Sequence, residues 1–210
     1  MNLILKGPGL VRIAGANGSG KSTLLELVSG FLSPFEGEVR ISGTLSNSAE
    51  ARFLRSVCRT APALYPSMTA RDHLAFAARC RRTEVGRALE RAERYGLGDW
   101  LEVPAAELST GNQRKLWLLA CTALPTPVAI LDEPFNGMDG HGVETLVKEL
   151  GEWAHKSLVL LIAHVPPAEL EPHQTVMLEG LSGSRRDVVQ VPVPGVRGEL
   201  DEDGRDDKED

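Results

Sequence analysis

The chain has 210 residues, 42% of them hydrophobic and 25% charged, with a formal net charge of −6 at pH 7. That length and apolar share suit a single globular α/β domain, and the charge balance carries no basic signature for nucleic acid. No apolar run approaches the roughly 18 to 20 residues needed to span a bilayer, and Met1 to Pro8 lack the apolar centre of a secretion signal, so any membrane role is expected to come through a partner.

In chain order, Leu10 to Ala14 form a short apolar run of the kind that makes a buried strand, followed by Gly15-Ala16-Asn17-Gly18-Ser19-Gly20-Lys21-Ser22-Thr23. Glycines in such a loop permit close approach to an anion, and the loop N–H groups and the first turn of the next helix point at phosphates. Lys21 supplies positive charge for the outer phosphates, and the Ser22 hydroxyl suits Mg²⁺. The Leu24, Leu25, Leu27, Val28 pattern predicts a helix over 21–29. The sequence therefore predicts a nucleoside triphosphate site with Gly15, Asn17, Gly18, Ser19, Gly20, Lys21, Ser22 and Thr23 around the phosphates.

Residues 37–43 alternate between glycine brackets and read as an antiparallel strand with one wet face. Helices are predicted near 70–80 and 84–95, inside a block from about 68 to 108 that reads as an inserted helical subdomain. The arginines of that block, Arg79, Arg81, Arg82, Arg87, Arg91 and Arg94, have helix-spaced partners in Glu84, Glu90 and Glu93 and are expected on a solvated face. Ser109 caps a further apolar helix, 110–123, and the N–H groups of Thr110, Gly111 and Asn112 form a second anion site. One nucleotide rarely needs two such helix starts, so the second is expected to serve the nucleotide of a facing copy. Val128 to Leu131 form another buried strand, ending in Asp132 and Glu133. Strand ends of a doubly wound sheet deliver ligands, which puts Asp132 in the Mg²⁺ shell with Ser22. Neighbouring side chains on a strand diverge, leaving Glu133 to polarise an attacking water. A helix over 140–155 and a strand over 157–163 follow, the latter closed by His164.

Leu108-Ser109-Thr110-Gly111-Asn112-Gln113, Asp132 to Asp139 and His164, added to the phosphate loop, resemble the ATP-binding-cassette family over residues 7 to about 181. The resemblance implies a P-loop α/β core with a mostly parallel sheet, a small antiparallel β region and an inserted helical subdomain. It also implies ATP and Mg²⁺ as cofactors, Glu133 as catalytic carboxylate and His164 as a catalytic contact to the γ-phosphate. Ser109, Gly111 and Asn112 would touch nucleotide from a second nucleotide-binding subunit, and a transmembrane permease would hold the chain at the cytoplasmic side of the cell membrane. Thr110 and Asn112 replace the third and fifth residues of the family's Leu-Ser-Gly-Gly-Gln signature. Thr60 stands where family members carry a metal-touching glutamine, and no aromatic for stacking adenine occurs among the fourteen residues before Gly15. Threonine is too short to span the same gap, although its hydroxyl can work through a bridging water. The hydrolysis rate and the usual link to the helical subdomain therefore stay open, and adenine is expected to be held by other groups or selected weakly. Three readings stand open: a transporter motor, leaning to export from the short helical block and single cassette; a non-transport ATPase of the family; and an ATP sensor with weak hydrolysis.

Cys58, Cys80 and Cys121 lack the spacing of a metal or redox motif and are expected to be buried free thiols. Trp100, Trp117 and Trp153 are expected in packing. Residues 182–210 read as a C-terminal extension, with eight acids against two bases over 199–210 and disorder expected from about 198.

Overall fold

The computed structural model describes residues 2–178 and 188–191; the acidic segment of the extension lies outside the described residues. Five parallel strands make the main sheet: β2 (Gly9–Ala14), β5 (Arg55–Cys58), β6 (Val128–Asp132), β7 (Leu158–Ile162) and β8 (Gln174–Met177), in the order β5-β6-β7-β2-β8. A second sheet runs β1 (Leu3–Ile4), β9 (Val188–Val191), β3 (Glu38–Ile41), β4 (Thr44–Leu45). Only β3 and β4 pair antiparallel in it; β9 lies parallel to both neighbours. Four residues of the extension thus form a strand beside the amino-terminal one.

The helices are α1 (Lys21–Val28), α2 (Ala70–Cys80), α3 (Val85–Arg94), α4 (Thr110–Cys121) and α5 (Gly140–Ala154). Three of them start on side-chain caps: Thr69, Ser109 and Asp139 accept from the N–H of Asp72, Asn112 and Gly142 at the starts of α2, α4 and α5, whereas α1 and α3 have none. Strand alternation splits the core into two layers. Leu10, Ala129, Leu131, Val159 and Leu161 face the helices α2 to α5, while Val11, Ile13, Val128, Ile130, Leu158, Leu160 and Ile162 face α1 and β3. Burial on both faces explains why these strands read as unbroken apolar runs.

The helical block leaves and rejoins the core at one neck. Thr69 bridges Pro104, and the N–H groups of Ala70 and Ala105 donate to Val103 and Met68 carbonyls at 3.1 and 2.9 Å. Two expectations about this block need correction. Arg79, Arg82, Arg87 and Arg94 are exposed as expected, but Arg91 is drawn inward. Arg91 and Arg94 pair with the buried Glu149 of α5, at 2.8 and 3.0 Å, instead of with the helix-spaced glutamates. Cys80, at the end of α2, is exposed, whereas Cys58 is buried and Cys121 partly so. Trp117 and Trp153 pack against the core, while Trp100 remains 43% exposed.

Candidate nucleotide-binding site

The sheet order determines where the site lies. Four adjacent strands, β5, β6, β7 and β2, run parallel, so the residues following their carboxyl ends form a row: Thr60, Asp132 with Glu133, His164, and the glycine-rich loop. A cavity of about 460 Å³ opens along that row, lined by Asn17, Gly18, Gly20, Lys21, Ser22, Thr23, Thr60, Asp132, Glu133, Ile162 and His164. Gly15 and Ser19 do not line it. Gly15 faces the adjoining cavity with Arg12 and Lys21, and Ser19 is buried under the loop with its hydroxyl unpartnered.

The loop geometry suits an anion. Gly20 caps α1 with φ at 98°, a left-handed conformation that favours glycine, and no side chain accepts from the first turn. Uncapped N–H groups and the positive end of the helix dipole therefore remain for an outside acceptor. Lys21 Nζ bends back over the loop, donating to the carbonyls of Gly15 and Ala16 at 2.7 and 2.9 Å.

Asp132 is the last residue of β6, Glu133 stands just past it, and both line the cavity. Asp132 Oδ2 accepts a hydrogen bond from the Thr60 hydroxyl. Glu133 takes a left-handed backbone, φ 47°, unusual for a side-chain-bearing residue. Two contacts hold it: its N–H donates to the Ile162 carbonyl at 2.8 Å, and its Oε1 accepts from the His164 N–H at 3.0 Å. The His164 ring, 63% exposed, has Nε2 3.8 Å from the same oxygen.

Two arginines that sequence reasoning missed brace these strand ends. Arg114, buried in α4, donates to the carbonyls of Arg59, Thr60, Asp132 and Glu133, with the Arg59 and Asp132 contacts at 3.0 and 2.9 Å. One guanidinium so ties the chain after β5 to the end of β6. Arg12, in the middle of β2, donates to Ala163 and His164 carbonyls at 3.3 and 2.9 Å. A lone cation inside the otherwise apolar β2 was the available signal for Arg12, whereas Arg114 stands beside Lys115 in the polar first half of α4 and carried none.

Ser109, Gly111 and Asn112 do not reach the cavity. The Ser109 Oγ accepts from the Asn112 N–H at 3.2 Å, capping α4 itself. A Cβ on Gly111 would come within 2.9 Å of the Gly137 carbonyl, so the helix start and the 134–139 loop touch through glycine. Lys115 Nζ donates to Asp139 Oδ2 at 2.6 Å from the next turn. This bond, together with the Gly142 N–H, holds the Asp139 carboxyl below its usual range.

The fold and the row of strand ends define a P-loop nucleotide-binding domain. The family model for ABC transporters matches residues 1–136, and the chain belongs to that family, as an ATP-binding subunit. It is 32% identical, over 85% of each chain, to the cytochrome c biogenesis ATP-binding export protein CcmA of Novosphingobium aromaticivorans. The thiamine import ATP-binding protein ThiQ of Vibrio cholerae is 29% identical over 80% of this chain and 74% of its own. A solved ATP-binding subunit of an ABC transporter superposes with a TM-score of 0.73 at 28% identity, covering 81% of this chain and 75% of that one.

Proposed function

We propose that the chain is the ATP-hydrolysing motor of a membrane exporter. It works with a transmembrane permease subunit at the cytoplasmic side of the cell membrane and pairs head to tail with a second nucleotide-binding subunit, identical or not. The observation that carries this reading is the single cavity shared by Lys21, Ser22, Asp132, Glu133 and His164. The donor set fits ATP with Mg²⁺: an uncapped helix start and an ammonium for phosphate, a hydroxyl and a carboxylate for a hard cation. In this assignment Gly18, Gly20, Lys21 and Thr23 hold the phosphates, and Ser22 with Asp132 holds the metal, which when bound offsets phosphate charge. Glu133 anchors one oxygen on the His164 N–H, keeping the other to take a proton from water, while the His164 ring faces the γ-phosphate. Ser109, Gly111 and Asn112 complete the facing copy's site. Export follows the name of the Novosphingobium relative and the short helical block. No helix among the described residues is long and apolar enough to cross a membrane, in keeping with a membrane role through the permease.

Affinity isolation from detergent-solubilised native membranes tests the reading. An integral membrane protein should accompany the chain and raise its ATP turnover; isolation without one would defeat it. A second reading, an ATP sensor that barely hydrolyses, draws on the Thr60–Asp132 hydrogen bond, which occupies a carboxylate that the metal would use. Under the motor reading Thr60→Gln raises turnover modestly in the isolated complex. Background turnover in both wild type and this variant, with the membrane partner present, would favour the sensor.

A further inference from the structure

Residues 199–210 hold eight acids against two bases and account for the whole formal charge of −6, and nothing in the nucleotide chemistry uses them. At their start, Glu199-Leu200-Asp201-Glu202-Asp203 sets four acids around a single leucine. A cavity of the opposite character, about 510 Å³ in volume, lies between β5, the end of α1 and the helical block. Arg52, Arg55, Arg59 and Arg81 line it, no aspartate or glutamate does, and it shares no lining residue with the nucleotide site.

Among the described residues only Arg59 of these four has a carboxylate partner, Glu26 at 2.6 Å. Arg81 donates to the Arg52 and Arg55 carbonyls at 2.7 and 2.9 Å, which solvates its charge without neutralising it. Arg55, the first residue of β5, is 6% exposed, and its Nη1 is buried without a hydrogen-bond partner. Burial and the nearby charges of Arg81 and Arg52 lower its pKa, yet a guanidinium remains charged at neutral pH. A buried cation without a counter-ion is costly, and an arriving carboxylate reverses that cost through a paired, charge-assisted geometry. Phe31, Tyr65 and Phe76, 75%, 57% and 51% exposed, line the same cavity and offer an apolar residue among the acids a surface to cover.

The chain is long enough to deliver those acids. β9 ends at Val191, beside Ile41 of β3, and Asn47, a few residues after Ile41, lines the cavity. Extended chain from Ile41 to Asn47 plus one strand spacing covers at most about 27 Å, while the chain from Val191 to Glu199 reaches about 29 Å. A segment tethered in this way is present at an effective concentration near millimolar, so contacts too weak to hold a free partner suffice. We propose that residues 199–203 occupy this cavity of their own chain, with a carboxylate on Arg55, backed by Arg52 and Arg81, and Leu200 against the aromatic rim. The proposal is independent of the transporter reading. It places a salt-sensitive contact on the stretch of chain that leads to Thr60, whose hydroxyl bonds Asp132.

The test treats the full chain carrying R55K with a water-soluble carbodiimide, which joins an amine to a carboxylate in contact with it. Mass spectrometry should find a monomer with an amide link from position 55 to Glu199, Asp201, Glu202 or Asp203, and the yield should fall as salt rises. In a second measurement, a full chain carrying E199Q, D201N, E202Q and D203N should bind a synthetic peptide of residues 199–210, read by fluorescence anisotropy. Wild type should bind that peptide at least about 10-fold more weakly, because its own segment competes. A R55K chain that melts as wild type does and forms no such link overturns the proposal. A link to another acid overturns it too: Glu26 would put the counter-ion in the body of the fold, and an acid of a second copy would make the neighbour the occupant. Peptide binding that is equal in wild type and the neutralised chain, or absent from both, also overturns it. If R55K fails to fold, the peptide comparison decides on chains whose arginines are intact.

Discussion

Two helix starts in this chain resemble phosphate sites, and the structure treats them differently. At the start of α1 no side chain caps the first turn, and a cation, hydroxyls and two carboxylates share its cavity. At the start of α4 the serine satisfies its own helix, and Ser109, Gly111 and Asn112 line no part of the nucleotide cavity. The first site is assembled within one copy. The second is a rigid surface, fixed by Gly111 against Gly137 and by Lys115 on Asp139, and it finds no acceptor among the residues that line the cavity of its own copy. Rigidity without a local ligand is what an element completed by a second molecule requires.

The largest expected effect breaks the first site. Glu133→Gln keeps the shape and the contact to the His164 N–H but removes the carboxylate proposed as the base, so turnover should fall about 10²- to 10⁴-fold while ATP still binds. Unchanged turnover in a steady-state phosphate-release assay would take Glu133 out of the chemistry. Lys21→Ala comes next: losing a charge-assisted phosphate contact should weaken Mg·ATP about 10- to 100-fold in calorimetry. Wild-type affinity in that variant would mean that the cradle is elsewhere.

The smallest effect sharpens the second site. Asp139→Asn keeps a helix-capping side chain but leaves the buried Lys115 without its counter-ion. The loss should be about 1 kcal/mol, more than an exposed pair gives and less than a buried one, because Asp139 itself is open to water. Its pH dependence has a definite sign. The folded carboxyl lies below its ordinary value, so the ion pair contributes fully at neutral pH and is lost as pH falls below about 3.9 through the lowered folded value. Melting temperatures of wild type and variant should differ at pH 7 and converge in acid; a constant gap would assign the loss to packing instead.

Most of the first site was legible in the sequence because its parts are local. The phosphate loop, the Asp132-Glu133 strand end and the five helices each announce themselves within a dozen residues. What remained hidden depends on distant partners. β5, Arg55-Ser56-Val57-Cys58, shows no apolar run, and its register beside Val128 to Leu131 supplies the strand. Ser56 there accepts from Thr126, 70 residues away. Arg114 satisfies carbonyls up to 55 positions away, and Arg91 finds Glu149 58 positions on, so helix-spaced charge counting chose the wrong acids. β8 and β1 are short edge strands whose pairing comes from neighbours and not from periodicity.

The central claim is that the α4 helix start works on another copy's nucleotide. It is tested most directly by sizing the chain in saturating Mg·ATP with hydrolysis blocked by Glu133→Gln. That variant should elute as a dimer, and adding Ser109→Arg should return it to a monomer that still binds ATP with unchanged affinity. A double variant that dimerises as the single one does would contradict the claim.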